Sequence, residues 1–372
     1  MKILIRDSSI LTMDSKKPFI GKGYIYIDQG KIVALGDGEP QPELEFADYI
    51  INDRFIATLP GFTVGVGDII KYFFRFIEAK NTKEIIEILS KSDLYALVEV
   101  VLTSLTANGA TSIITLLHNP DPKILSAIVA AASSSWIRTR IMMLLDGSKD
   151  SSSIENEIRN ALKNSKDPEA ITKNIISFGL YIMDEKSIKK MIDIVNSVDV
   201  FVYTDAEIQQ KLYNVFPDIE NKRFIVINPT NPHTRCIFSD ATSWKYNCGI
   251  SPYDSMLLNP KKLLQETYRV IDNAEESVLI VSSYNSINHI ISSGVIKENS
   301  IADIIILDFG EPPYGPIPMT RSAIIGEIID SNFIVKTAII GGEIVLDNGV
   351  LLTISRESIK KAQSIVEDFI KL

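Results

Sequence analysis

Between residue 80 and about residue 307, short apolar runs alternate with longer segments whose apolar positions recur at helical spacing, and few folds tolerate that rhythm. Residues 82–105 have helical spacing, and residues 109–118 read as a buried strand ending before Asn119 and Pro120. Residues 124–134 read as helix, and 136–145 as a strand ending in Asp146-Gly147. The pattern repeats with helix 154–163, strand 175–183 ending in Asp184-Glu185, helix 188–195, and strand 198–203 ending in Thr204-Asp205. Strand, helix, strand at this pace predicts a parallel sheet with right-handed crossovers. The expected fold is α/β, a TIM-like (β/α) barrel whose polar strand ends gather at one mouth.

The rhythm then tightens. Residues 223–227 and 235–238 read as strands, but the segment between them is shorter than the ~10 residues that a crossover helix with its turns requires. Either these strands are not parallel neighbours, or the barrel is missing a strand-helix unit. Residues 247–259 read as loop, and 261–271, 274–282 and 285–292 as helices. Both ends of the chain have a different character. Residues 3–5, 23–27 and 31–35 alternate around Asp28-Gln29-Gly30, a hairpin signature. Residues 333–345 turn at Gly341-Gly342, a further strand lies at 350–353, and residues 355–370 form an amphipathic helix with Ser355 or Ser358 as cap. The expected organisation is a β-unit at residues 1–58, a barrel at 59–300, further strands at 301–353 and a terminal helix at 354–372.

Composition narrows the function. With 372 residues, 45% of them hydrophobic, the chain can bury a barrel-sized core. A net charge of -9 with scattered Lys and Arg argues against nucleic acid as a partner. No apolar run approaches the length of a membrane span, and the N-terminus lacks the features of a signal peptide, so a cytoplasmic protein with no membrane partner is expected. Cys236 and Cys248 have no CxxC partner, which suggests neither a zinc ribbon nor a disulfide framework, and buried or idle thiols are expected.

Three stretches carry a resemblance. Leu59-Pro60-Gly61-Phe62 leads into the first barrel strand, Asp28-Gln29-Gly30-Lys31-Ile32 builds the hairpin, and Gly294 through Ala302-Asp303 to Asp308 returns the chain to the β-unit. Together they resemble the amidohydrolase superfamily, in its cytosine deaminase, chlorohydrolase and imidazolonepropionase branch. That resemblance implies that residues 1–58 and 301–353 join in one small composite β-sandwich, and it implies hydrolysis of C–N or related bonds by divalent metal held at the barrel mouth. Its ligands would be a His pair after the first strand, a His after the fifth and sixth, and an Asp after the eighth. The metal would generate hydroxide near neutral pH and polarise the substrate.

Carried onto this chain, the first-strand pair becomes Val66 and Asp68, and the fifth-strand motif becomes Thr204-Asp205-Ala206-Glu207, with Thr in place of His. Ile227 or Asn228 ends the sixth strand, and Asp240 is the candidate for the eighth-strand carboxylate and the one candidate catalytic residue. The chain has three histidines, His118, His233 and His289. His118 either faces the mouth or bonds a loop carbonyl, His233 either replaces the sixth-strand ligand or sits in an exposed loop, and His289 reads as structural. Asp68, Glu207 and Asp240 could hold Mg²⁺ or Mn²⁺ as a carboxylate cluster, although Asp68 also suits a helix cap. The candidate substrate pocket is Asp68, His118, Thr204, Glu207, Asn228 and His233.

The leading expectation is a degenerate amidohydrolase relative with no cofactor. One alternative is an active hydrolase with Zn, Fe or Mn in an atypical site, and the other is a non-catalytic binding or assembly module. A small-molecule ligand and a homodimer are compatible with all three.

Overall fold

The computed structural model describes residues 1–66, 69–74, 79–118, 121–145, 150–217, 224–229, 235–238, 243, 248–250, 259–285 and 293–370. The chain opens with strands β1 (Ile3–Leu11), β2 (Phe19–Asp28), β3 (Lys31–Asp37), β4 (Tyr49–Asn52) and β5 (Ile56–Pro60). Then come β6 (Phe62–Val66), helices α1 (Ile69–Phe73), α2 (Ala79–Ile88) and α3 (Lys91–Thr106), and β7 (Ala110–Leu117). The alternation continues through α4 (Pro122–Ser135), β8 (Arg138–Leu145), α5 (Ser151–Leu162), α6 (Pro168–Thr172), β9 (Ile176–Ile182), α7 (Lys186–Ser197), β10 (Phe201–Asp205) and α8 (Ala206–Val215). Three short strands follow, β11 (Phe224–Ile227), β12 (Cys236–Phe238) and β13 (Gly249–Ile250). The remainder comprises α9 (Pro260–Ile271), α10 (Ala274–Leu279), β14 (Ile304–Asp308), α11 (Arg321–Ile329), β15 (Ile334–Ile340), β16 (Glu343–Asp347), β17 (Val350–Leu351) and α12 (Arg356–Ile370). No helix among the described residues is long and apolar enough to cross a membrane.

One compact unit consists of Met1–Val64, Leu105–Ser112 and Asn259–Leu352. Its sheet runs β17-β16-β15-β14-β5-β1-β2-β3, with β4 beside β1, so strands from both ends of the chain interleave. The seam is the antiparallel pairing of β14 with β5, from Ile304 opposite Pro60 to Asp308 opposite Ile56. Beneath it lies a core of isoleucines from Ile3 to Ile339, with Ala302 as the one exception. Branched side chains of this kind suit a pleated, half-buried surface.

The β2–β3 turn uses Gln29 at φ 49° and Gly30 at φ 79°, the left-handed pair that a two-residue hairpin needs. Gly30 also abuts the β15–β16 turn, where a Cβ on it would lie 2.6 Å from the Gly341 carbonyl oxygen. The Ala302-Asp303 pair has a comparable local reason. Asp303 is buried, its Oδ1 accepts from Gly341 N at 2.8 Å, and its carbonyl accepts from Gly61 N at 3.1 Å. A Cβ on Gly61 would lie 2.2 Å from Thr111 Oγ1, so the Pro-Gly-Phe entry admits only glycine there.

The second unit consists of Gly65–Ser104, Ile113–Leu258 and Thr353–Leu372. The eight strands β6 to β13 neighbour one another in chain order, forming a TIM-like barrel sheet. β8 and β9 pair in parallel from Thr139 opposite Ile176 to Leu145 opposite Ile182. Helix starts follow the expected chemistry, with Asp121, Asp150 and Asp167 accepting from backbone amides at the N-termini of α4, α5 and α6. Ser355 Oγ likewise accepts from Ser358 N at 3.0 Å at the start of α12.

The crowded stretch resolves in favour of eight strands. β11 and β12 are parallel neighbours, with Val226 opposite Cys236 and Ile227 opposite Ile237. Residues 228–235 suffice because strands this short oblige the chain to climb back only ~10–13 Å at ~3.3 Å per residue. The eighth strand, Gly249–Ile250, lies inside the stretch expected to be loop, since two residues carry no periodicity to read.

The expectation of buried thiols is corrected: Cys236 and Cys248 form a disulfide across twelve residues of sequence. The parallel pairing of Ile237 with Gly249 places the preceding residues side by side, an adjacency that spacing alone does not reveal. Of the segment expected to be helical at 285–292, residues 286–292 with His289 lie outside the described residues.

Candidate active site at the barrel mouth

The carboxyl ends of β6 to β13 define the mouth of the barrel. Asp68, His233 and Asp240, together with the side chain of Val66, lie outside the described residues. Asp240 follows Phe238, the end of the seventh strand in the sheet, whereas the eighth strand ends at Ile250 and is followed by Ser251. The carboxylate expected after the eighth strand thus belongs, in chain order, to the seventh.

Of the remaining candidates, His118 directly follows β7 and is exposed. Thr204 is fully buried, and its hydroxyl donates to the Ile182 carbonyl at 3.2 Å. Glu207 is exposed in the first turn of α8. Asn228 has φ 48°, and its backbone N–H donates to the Ile237 carbonyl at 2.8 Å, closing β11 onto β12.

What the structure does bring together is a polar series on one face of β8, β9 and β10. Strand alternation puts Phe201, Tyr203 and Asp205 on the face opposite Thr204. Arg140, buried in β8, donates through Nη1 to the Tyr203 hydroxyl at 3.1 Å and through Nε to Ser177 Oγ at 3.3 Å. Its guanidinium also stacks 3.3 Å from the centre of the Phe201 ring. Gly179 leaves the space that the Tyr203 ring fills, since a Cβ there would lie 2.7 Å from Tyr203 Cε2. Burial raises the Tyr203 pKa, while the nearby Arg140 charge and hydrogen bond pull it down.

Towards the mouth, Tyr181 donates its hydroxyl to Asp205 Oδ1 at 2.8 Å. Asp205 occupies the N-cap position of α8, where an aspartate ordinarily accepts from the helix amides, but its side chain makes no such bond. Burial raises its pKa, the Tyr181 hydrogen bond opposes that, and the Glu207 charge adds to the rise. A half-buried carboxyl with a raised pKa at the end of the fifth barrel strand has the properties of an acid-base group. Nothing in the sequence distinguished Asp205 from its neighbours. The available signal was alternation along β10, which sets it on the face of Tyr203 rather than that of Thr204.

Among the described residues no three His, Cys, Asp or Glu side chains converge so as to hold an ion.

No family profile and no curated protein matches the chain by sequence. Solved structures do match. A mutant of atrazine chlorohydrolase TrzN from Arthrobacter aurescens, complexed with zinc and atraton, superposes with a TM-score of 0.73 at 15% identity, covering 98% of this chain and 100% of that one. An adenosine deaminase from Xanthomonas campestris with bound zinc gives 0.72 at 10% identity, covering 100% and 99%. An amidohydrolase from Brucella melitensis gives 0.69 at 12% identity, covering 99% of each. Sequence motifs at both ends, a barrel of eight strands and a composite sheet thus agree with likeness over the full length: this chain has the fold of the amidohydrolase superfamily.

Proposed function

We propose that the chain descends from hydrolases of non-peptide C–N bonds and has given up the usual catalytic metal. The observation that carries this reading is the replacement of the ligand positions themselves. The first-strand pair is Val66 and Asp68, and valine has no donor atom. The fifth-strand position is Thr204, buried and bonded to a carbonyl on the face away from Asp205. Imidazole nitrogen is the ligand on which such centres are built, and a hydroxyl engaged elsewhere is a poor substitute. Hydrolytic ancestry is supported by the chlorohydrolase and deaminase that share the fold. After chelator treatment and dialysis, added Zn²⁺, Mn²⁺ or Fe²⁺ is expected to leave the melting temperature unchanged. A saturable rise with one of these ions, abolished by substituting Asp68 or Asp240, would restore the metal-dependent reading.

A second reading rests on Asp205. With its raised pKa and a tyrosine hydroxyl holding one oxygen, it can accept or return a proton at the mouth without help from an ion. Under this reading a screen of cyclic amides and amino-substituted heterocycles yields a slow turnover. Asp205→Asn lowers it by about 10²-fold or more, and Tyr181→Phe shifts the acidic limb of the kcat/KM profile. Turnover that survives Asp205→Asn would remove the reading.

A further inference from the structure

The composite unit contains a cleft of about 520 Å³ that no part of the barrel chemistry uses. Its apolar wall comes from β1, α10 and α11, where Leu11, Val278 and Ile325 are buried. Donors line the other side. Arg321, the first residue of α11, pairs through Nη2 with Glu275 Oε2 at 2.8 Å, while its Nε is buried without a hydrogen-bond partner. A buried N–H without an acceptor is costly, and a turn of the half-exposed Arg321 side chain towards the cleft would let a ligand oxygen satisfy it. Lys297, also lining the cleft, is exposed and ion-pairs with no described residue. Tyr284 ends a π-helical turn, Ile280–Tyr284, that continues from α10, a local irregularity often found where a side chain is presented to a ligand. Burial, and secondarily the Glu276 charge, raises the Tyr284 pKa, so its hydroxyl keeps its proton near neutral pH.

From this arrangement we propose that the cleft binds a small organic carboxylate with an apolar body, its oxygens set against Arg321 and Lys297 and its body against Leu11, Val278 and Ile325. The lining carries three carboxylates, Asp14, Glu275 and Glu276, against the two cations, so the placement of the donors rather than net charge selects the carboxylate. Glu275 is paired with Arg321, which leaves Nε of that guanidinium unengaged, and Asp14 turns Oδ1 into its own loop, accepting from Lys16 N at 3.0 Å. Glu276 remains, and it could take the ammonium of an α-amino acid. A volume of this size suits a molecule of amino-acid or phenylpropionate dimensions.

Isothermal titration of the full chain with 3-phenylpropionate, phenylalanine and 2-phenylethylamine tests the site, because the three share one apolar body. Saturable millimolar or tighter binding of both acids but not of the amine is expected. Arg321→Gln and Lys297→Ala should each weaken it about tenfold. Equal affinity for the two acids identifies a simple carboxylate as sufficient. Tighter binding of phenylalanine, with the excess lost in Glu276→Gln, identifies the amino acid, and the proposal holds in either case. Binding of the amine as tightly as the acids, no saturable heat from either acid, or affinity unchanged in both variants would overturn it. Lys297 is an exposed rim residue, so its variant keeps the test open should Arg321→Gln fail to fold.

Discussion

The first and last parts of the barrel sheet hold their strands together differently. Strands β7, β8, β9 and β10 have 8, 8, 7 and 5 residues, and α4, α5, α7 and α8 lie in the segments that follow them. Strands β11, β12 and β13 have 4, 3 and 2 residues, are paired over only two positions at each later ladder, and are joined by segments 228–235 and 239–248. Long ladders flanked by helices spread stabilisation over many buried apolar contacts. Short ladders cannot, and here a covalent bond between Cys236 and Cys248 ties the last two strands instead. The lesson is that a parallel sheet can keep its eighth strand after losing the periodicity that normally announces it, provided something else fixes the pairing.

Breaking the disulfide should therefore have the largest effect. Replacing both cysteines with serine, or adding reductant, is expected to cost about 2–4 kcal/mol in stability. Hydrogen exchange should accelerate in β11 to β13 before it does in β7 to β10. A melt insensitive to reductant, or two free thiols titrated in the unreduced, denatured protein, would contradict the comparison.

In the other half, Gly179→Ala sets a methyl against the Tyr203 ring and Met142, and overpacking of this kind costs about 1–3 kcal/mol. Chemical denaturation would measure it, and a neutral outcome would mean that β9 has slack the geometry denies. Tyr203→Phe removes the hydroxyl that accepts from buried Arg140 Nη1, for an expected loss of about 1–2 kcal/mol by the same assay.

The smallest effect is expected at Asp205. Burial raises its pKa, so the folded chain holds that proton more tightly than the unfolded chain does. The stabilisation is complete below the unfolded aspartate value near 3.9 and is lost as pH rises through the raised folded value. Asp205→Asn should flatten that segment of the stability profile, and an identical pH dependence in the variant would show that Asp205 does not carry it.

The same contrast explains what could be read from the chain. Leu59-Pro60-Gly61-Phe62 and Ala302-Asp303 were legible because dense local constraints dictate them: Gly61 has no room for a side chain beside Thr111, and Asp303 anchors the turn at Gly341. The helix-flanked strands were legible because runs of five to eight mostly apolar residues make a pattern. β13 and the disulfide were not, since a two-residue strand has no period and a cysteine pair depends on which strands become neighbours. The site was hardest. Tyr181 meets Asp205 across 24 residues and Arg140 meets Tyr203 across 63, and neither pair has a motif. The family pattern directed attention to Thr204, whereas strand alternation places the polar partner one residue later.

We propose that the barrel mouth of this chain does not carry the zinc present in the chlorohydrolase and deaminase structures of the same fold. Elemental analysis by inductively coupled plasma mass spectrometry tests it most directly, on protein produced in zinc-, iron- and manganese-supplemented medium and purified without chelators. Far less than one equivalent of any of these metals per chain is expected. Zinc, iron or manganese at close to one ion per chain, retained through dialysis, would contradict it.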